Sequence, residues 1–160
     1  MTVAEYDKCV HTLSDNLYRF ALKSLRDEEL AKDIVQESFL RLWENREAVL
    51  GKEKSYLFTI AYRLIIDQAR YKKRYTGDEP LRIRPDDKSH TYSGIAETVQ
   101  RYLDQLPEIQ RTLILLRDYE GYSYQEIAEM TSLSIAQVKV YIFRARVALK
   151  QQLGSMENLL

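Results

Sequence analysis

Cysteine, proline, glycine and net charge are all scarce in this chain. The 160 residues hold one cysteine, three prolines and five glycines. A lone Cys9 excludes an intrachain disulfide and reads as an inert thiol. His11 and His90 are far apart, with no cysteine or paired acids at ligand spacing, which argues against a zinc site. The 24 basic side chains are balanced by 24 acidic ones, so a histone-like, purely electrostatic binder is excluded. No stretch approaches the ~18 to 20 apolar residues of a membrane span. The start, Met-Thr-Val-Ala-Glu-Tyr-Asp, lacks the basic and apolar regions of a signal peptide. The expected location is the cytoplasm, without membrane insertion. No nucleophile–base pair, phosphate loop or metal cluster is present, so the chain reads as a non-enzyme with no catalytic residues, cofactor or metal.

What is present is helical periodicity. Strand-like alternation is absent, and the fold class expected is all-α: two small helical domains joined by a flexible linker, the C-terminal one with a helix-turn-helix. The first block, residues 1–75, carries helical segments over about Thr2–Ser24, Glu28–Glu44 and Lys54–Arg74. Residues 76–94, TGDEPLRIRPDDKSHTYSG, have two prolines, two glycines and no apolar period, which is linker composition. The last block, residues 95–160, is helical again. Pro107 begins a helix there and Gly121 ends it. The tail from Gly154 is expected to fray.

The charges are segregated. Arg26 to Glu37 holds five acids against two bases, and Arg63 to Arg74 holds five bases against one acid. Acidic and basic surfaces on one small chain point to two kinds of partner.

Residues 124–146, YQEIAEMTSLSIAQVKVYIFRAR, predict two short helices joined by the turn Ser132-Leu133-Ser134. Ser134 is suited to N-capping the second helix. Ile135, Val138, Ile142, Ala145 and Leu149 recur at helical spacing as a buried stripe. Ala128 permits a close crossing, and Ser132 stands where a left-handed glycine is usual. This is the pattern of a helix-turn-helix, whose second helix enters the DNA major groove. A helical hairpin of an ordinary bundle has the same signature. The basic bias of Lys139, Arg144, Arg146 and Lys150 favours DNA, because phosphates dominate such affinity.

Two further helices carry mixed faces. Over Asp33–Trp43, Val35, Phe39 and Leu42 share the core side, with Trp43 as an anchor. Asp33, Glu37 and Leu40 lie opposite, near Leu30 and Arg41, and a face mixing acids with leucine is normal for an interface. Over Lys54–Arg74, Leu57, Ile60, Ala61 and Leu64 form the inner stripe. Thr59, Arg63 and Arg70 lie outside, joined by Lys72, Lys73 and Arg74, with Tyr56, Tyr62 and Tyr71 adding rings. Cations with aromatics suit single-stranded DNA, the first for phosphates and the second for stacking bases; most of the twelve tyrosines are expected in the core.

The order of these segments resembles the extracytoplasmic-function sigma factors of the sigma-70 family. Asp33-Ile-Val-Gln-Glu-Ser-Phe-Leu-Arg-Leu-Trp43 is similar to that family's polymerase-binding helix. Ser55-Tyr-Leu-Phe-Thr-Ile-Ala61, Leu64-Ile-Ile-Asp67 and Arg70 are similar to its promoter-melting, −10-reading helix. Leu106-Pro107, Glu126-Ile-Ala128, Val138-Lys139 and Arg144-Ala-Arg146 are similar to its −35-reading domain. The chain departs from the family at Tyr62-Arg63, where Arg-Asn is common, at Ser132 for the turn glycine, and at Ala136-Gln137 for Gly-Thr.

The resemblance implies a sigma factor that binds core RNA polymerase and directs promoter recognition, promoter melting and transcription initiation at a restricted set of genes. Its domains would be a region-2-like 1–75 and a region-4-like 95–160. It implies that Asp33, Glu37, Leu40 and Arg41 grip the clamp helices of the largest subunit, with the flap as a further polymerase contact. Tyr56, Thr59, Tyr62, Arg63, Arg70, Lys72, Lys73 and Arg74 would hold the melted −10 strand, with a base captured near the loop 45–54. Ser134, Ala136, Gln137, Lys139, Val140, Tyr141, Arg144 and Arg146 would meet the −35 duplex. Among these, Gln137 is the natural adenine reader, and the cations position the helix on phosphates. Ala136, Val140, Phe143 and Val147 leave the outer face apolar, suited to thymine methyls or to an inhibitor. An anti-sigma factor is the implied regulatory partner. A stand-alone helix-turn-helix regulator and a helical adaptor without nucleic-acid function remain alternatives at this point.

Overall fold

The computed structural model describes residues 1–76 and 94–157, and the linker expected between the blocks lies almost wholly outside them. Helix α1 spans Val3–Leu25, α2 Glu28–Glu44 and α3 Glu53–Thr76. Helix α4 spans Gly94–Gln105, α5 Glu108–Ile114, α6 Tyr124–Thr131 and α7 Ile135–Glu157, with a π-helical turn over Leu115–Tyr119 after α5.

Local chemistry sets these boundaries. At α1 the Glu5 N–H donates to Thr2 Oγ1 (3.1 Å) and the Thr2 N–H to Glu5 Oε2 (2.9 Å), a closed capping box. The helix ends in a left-handed Arg26, φ 56°, whose N–H returns to the Leu22 carbonyl. Asp27 then caps α2 through the Leu30 N–H. Gly51, at φ +86°, makes the turn before α3 that a side chain would strain. Pro107 stands just before α5 as its N-cap, and Gly121 turns the chain at φ +78°.

Helices α1, α2 and α3 pack into one bundle around Leu17, Phe20, Leu42, Leu57 and Ala61. In α2 the covered stripe is Ala31, Ile34, Ser38, Phe39 and Leu42, and Val35 is only half-buried. The expectation for Val35 weighed apolar residues alone. Small Ala31 and Ser38 instead face inward, the Ser38 hydroxyl donating to the Ile34 carbonyl at 2.6 Å. In α3 Leu64 is half-buried, while Phe58, Tyr62 and Ile65 join Leu57, Ile60 and Ala61 inside. Trp43 is a half-buried anchor, edge-on to Tyr6 at 5.0 Å with Arg46 over its ring.

Helices α4 to α7 form the second block around Leu113, Leu116, Ile127, Val138 and Ile142. The two blocks do not keep separate cores. One apolar cluster runs through both, because α3 packs on α6 and α1 on α5. Phe58 stands between Phe20 and Tyr122, with 5.5 Å between ring centroids on each side. Polar groups stitch the same seam. Arg111, 4% exposed, donates to the Ser24 carbonyl (2.7 Å) and the Leu106 carbonyl (3.0 Å). Gln100 Nε2 donates to the Lys23 carbonyl at 3.3 Å, Arg19 pairs with Glu120 at 2.9 Å, and Arg26 with Asp104 at 3.3 Å. The last carbonyls of a helix have no partner within it. Here the second block supplies those partners at the end of α1. Of the tail expected to fray, Gly154–Glu157 is helical as the end of α7, and residues 158–160 lie outside the described residues.

Candidate nucleic-acid interface

The α6–α7 hairpin has the predicted form. Ser123 and Glu126 close a capping box at the start of α6. Ser132 is left-handed at φ 61°, as the turn demands. Ser134 Oγ accepts from the Gln137 N–H and Gln137 Oε1 from the Ser134 N–H, both at 3.0 Å. Val138, Ile142 and Ala145 are fully buried, Leu149 is half-buried, and Ile135 is 43% exposed. As the first residue of α7, Ile135 stands at the rim of the packing rather than in it.

Opposite that stripe, Ala136, Lys139, Val140, Phe143, Arg144 and Val147 are exposed. Three of the residues assigned to the duplex have partners within the fold. The Gln137 acceptor oxygen already takes one hydrogen bond in the box, so pairing with adenine needs that bond released or its second lone pair used. Tyr141 is half-buried against the core. Arg146 is turned aside into a two-bond pair with Asp118, at 2.6 and 3.3 Å, and reaches the Tyr124 hydroxyl at 3.4 Å. It braces α7 on the π-helical turn, and those bonds push the guanidinium pKa up. Phe143, read from the sequence as part of the apolar outer face, is 67% exposed at the middle of that face.

On α3, Arg63, Arg70, Lys73 and Arg74 are exposed and Lys72 is half-buried. Thr59 is half-buried and its hydroxyl donates to the Ser55 carbonyl at 2.7 Å. Tyr56 is half-buried and accepts from Asn45 Nδ2 at 3.1 Å, bridging the end of α2 to α3. Tyr62 is corrected: it is 7% exposed and sits in the core. Burial pushes its hydroxyl pKa up, Arg70 opposing and Tyr141 adding to it. The exposed ring on α3 is instead Tyr71, at 58%.

The loop between α2 and α3 meets the second block. Gly51–Ser55 line an open groove with Glu120, Gly121, Tyr122 and Glu126, and Lys54 lies over the Tyr122 ring at 5.3 Å. On α2, Asp33 and Leu40 are exposed, Leu40 by 50%. Glu37 and Arg41 are half-exposed and pair at 2.9 Å. Asp33, Glu37, Leu40 and Arg41 therefore do lie on one accessible face. Among the described residues no acid, histidine or cysteine cluster could hold a metal, and no helix is long and apolar enough to cross a membrane.

One stability effect follows from the Ser134–Gln137 box. Gln137→Ala is expected to cost about 1 kcal/mol, the usual worth of a cap. Thermal melting followed by circular dichroism measures it. A melting curve identical to that of the parent protein contradicts the role given to the box.

Comparison with known proteins agrees with this arrangement. Residues 9–75 match the model of Sigma-70 region 2, and residues 96–149 that of Sigma-70, region 4. The RNA polymerase sigma factor SigV of Bacillus subtilis is 32% identical over 149 residues, covering 91% of this chain and 89% of SigV. The ECF RNA polymerase sigma factor SigW of the same organism is 30% identical, covering 92% and 88%. Among solved structures, the sigma factor RpoE of Bartonella quintana, in complex with the anti-sigma factor NepR, aligns with a TM-score of 0.77. It is 24% identical, and the alignment covers 95% of this chain and 98% of RpoE. The two matched regions and the SigV and SigW likenesses together make this chain a member of the extracytoplasmic-function group of sigma-70 RNA polymerase sigma factors.

Proposed function

We propose that this chain divides the work of a sigma factor among three faces. As a sigma factor it binds core RNA polymerase and directs promoter recognition and transcription initiation. The α2 face of Asp33, Glu37, Leu40 and Arg41 docks on the clamp helices of the largest subunit. The exposed cations of α3, with Tyr71 and the 45–54 loop, hold the melted −10 strand. The outward face of α7 enters the −35 duplex, and the second block also touches the flap. The catalysis is the polymerase's, and the chain itself is not an enzyme. It acts in the cytoplasm, where the polymerase is. The observation that carries this reading is the separation of one acidic–leucine face on α2 from two cationic faces on α3 and α7 within one small fold.

The domain roles follow the two matched regions, 1–75 for the polymerase and the −10 element and 95–160 for the −35 element. An anti-sigma factor is the expected regulator. Likeness to a fold solved with NepR supports that, as do the exposed Leu40 on α2 and Phe143 on α7. The direct test is co-purification with core polymerase followed by transcription in vitro from a genomic fragment library. Failure of both returns the chain to the stand-alone regulator or the adaptor.

The joined blocks add a condition. The −35 and −10 elements lie about 85 Å apart along B-DNA at 3.4 Å per base pair. Here α6 rests directly on α3, so the blocks must part before both elements are engaged. The free protein is therefore expected to bind promoter duplex weakly. Fluorescence anisotropy on the selected promoter, with and without core polymerase, checks this. Sub-micromolar, sequence-specific binding by the free chain at physiological salt contradicts it.

A further inference from the structure

The outward face of α7 is built like a cross-section of the major groove. Ala136, Val140, Phe143 and Val147 recur at steps of four, three and four, which places them on one ridge along the helix. Val140 is 44% exposed, Phe143 67% and Val147 38%. The ridge lies opposite Val138, Ile142 and Ala145, which are fully buried. At about 100° per residue, Lys139 falls on one flank of the ridge and Arg144 on the other. Both are exposed, and no acid occurs in α7 before Glu157. The order across the helix is cation, apolar ridge, cation. Across the major groove it is phosphate, base edges, phosphate.

The ridge carries no hydrogen-bonding side chain, and Gln137 beside it has its acceptor oxygen closed into the Ser134 box. It therefore has little with which to read donors and acceptors. The one apolar group on the major-groove edge of a base pair is the thymine C5 methyl. From Ala136 to Phe143 the helix advances about 10 Å at 1.5 Å per residue. That is about three base-pair steps at 3.4 Å.

We propose that α7 recognises its promoter element through thymine methyl groups packed on Val140 and Phe143, with Ala136 admitting the helix close to the base edges. Specificity then resides in where thymines fall on either strand, and Lys139 and Arg144 set the register on the two phosphate rails. The inference rests on the reading of α7 as the duplex-binding helix. A partner helix with an acid-flanked apolar face has the same complementarity, and the test separates the two.

The chain in complex with core polymerase selects a tight-binding promoter from a random-sequence pool. Each thymine of its upstream element is then replaced by deoxyuridine, which removes one methyl and keeps the base pairing. Affinity is expected to fall about fourfold at one or two of these positions, the worth of one buried methyl. In Val140→Ala with Phe143→Ala the thymine-to-uracil ratio is expected to fall to about one. Both side chains are exposed, so unchanged circular dichroism accompanies that result. Equal affinity of the parent protein for thymine and uracil duplexes overturns methyl recognition. So does a thymine preference that survives loss of both ridge side chains, which marks the ridge as protein-facing. Lys139→Ala with Arg144→Ala distinguishes the underlying reading. Weaker binding to all duplexes with a smaller salt slope keeps α7 on DNA, whereas unchanged binding removes α7 from DNA and overturns both.

Discussion

Charge reversal on the exposed face of α2, Asp33→Lys with Glu37→Lys, is expected to abolish co-elution with core polymerase while the fold is retained. Asp33 is exposed, and Glu37 is half-exposed in a pair with Arg41 at 2.9 Å. An i,i+4 pair of that kind is worth about 0.3–0.5 kcal/mol. Replacing its acid with a base also sets two cations side by side, so the total loss of stability stays near 1 kcal/mol. The buried stripe of Ala31, Ile34, Ser38 and Leu42 is untouched. Against a basic partner surface the same change costs several kcal/mol through like-charge contact. The binding effect is therefore expected to be orders of magnitude while the melting transition shifts little. Unchanged co-elution sinks the assignment of this face. A collapse of the melting transition shows that the two acids serve the fold.

The second large effect is on stability. Arg111→Met is expected to destabilise the joined form by about 3 kcal/mol, since two buried hydrogen bonds from a charged donor are lost. The guanidinium donates to the Ser24 and Leu106 carbonyls, and methionine fills much of its volume without replacing either bond. Ser24 lies in the last turn of α1, where a cation also complements the helix dipole. Burial lowers the Arg111 pKa, with Glu108 and Asp104 opposing, yet an arginine so held keeps its charge at neutral pH. The expected result is a melting midpoint lower by roughly 6–12 °C. It comes with more rapid proteolysis between the blocks. A midpoint within about 2 °C of the parent removes Arg111 as the brace of the seam.

Helices were legible in the sequence wherever local chemistry decides them. Glu28–Glu44 and Tyr124–Thr131 are found where the helical period put them, and Asp27 and Ser123 cap their starts. Ser132 was legible as a left-handed position because a helix-turn-helix needs one there. The seam between the blocks was not. Apolar periodicity shows that a face is buried but not against what; Tyr62 shares the covered face of Phe58 and Ile65, and Tyr71, half a turn away, is exposed. The same limit hid the partners of two polar residues. Arg146 looked like a phosphate contact because Asp118 is distant in sequence, and Gln137 looked free because a capping box is defined by geometry.

That seam has a thermodynamic character of its own. Ser24 Oγ, Arg111 Nε and the Tyr122 hydroxyl are buried in it with no hydrogen-bond partner among the described residues. Each such atom costs on the order of 1–3 kcal/mol relative to water. Parting the blocks exposes Phe58 and Tyr122, which is unfavourable, but it also rehydrates these three groups. The two contributions oppose each other, so joined and parted populations lie closer in free energy than the apolar contact alone implies. The smaller that gap, the less differential binding a ligand of the parted form needs to make it the major population, at about 1.4 kcal/mol per tenfold shift.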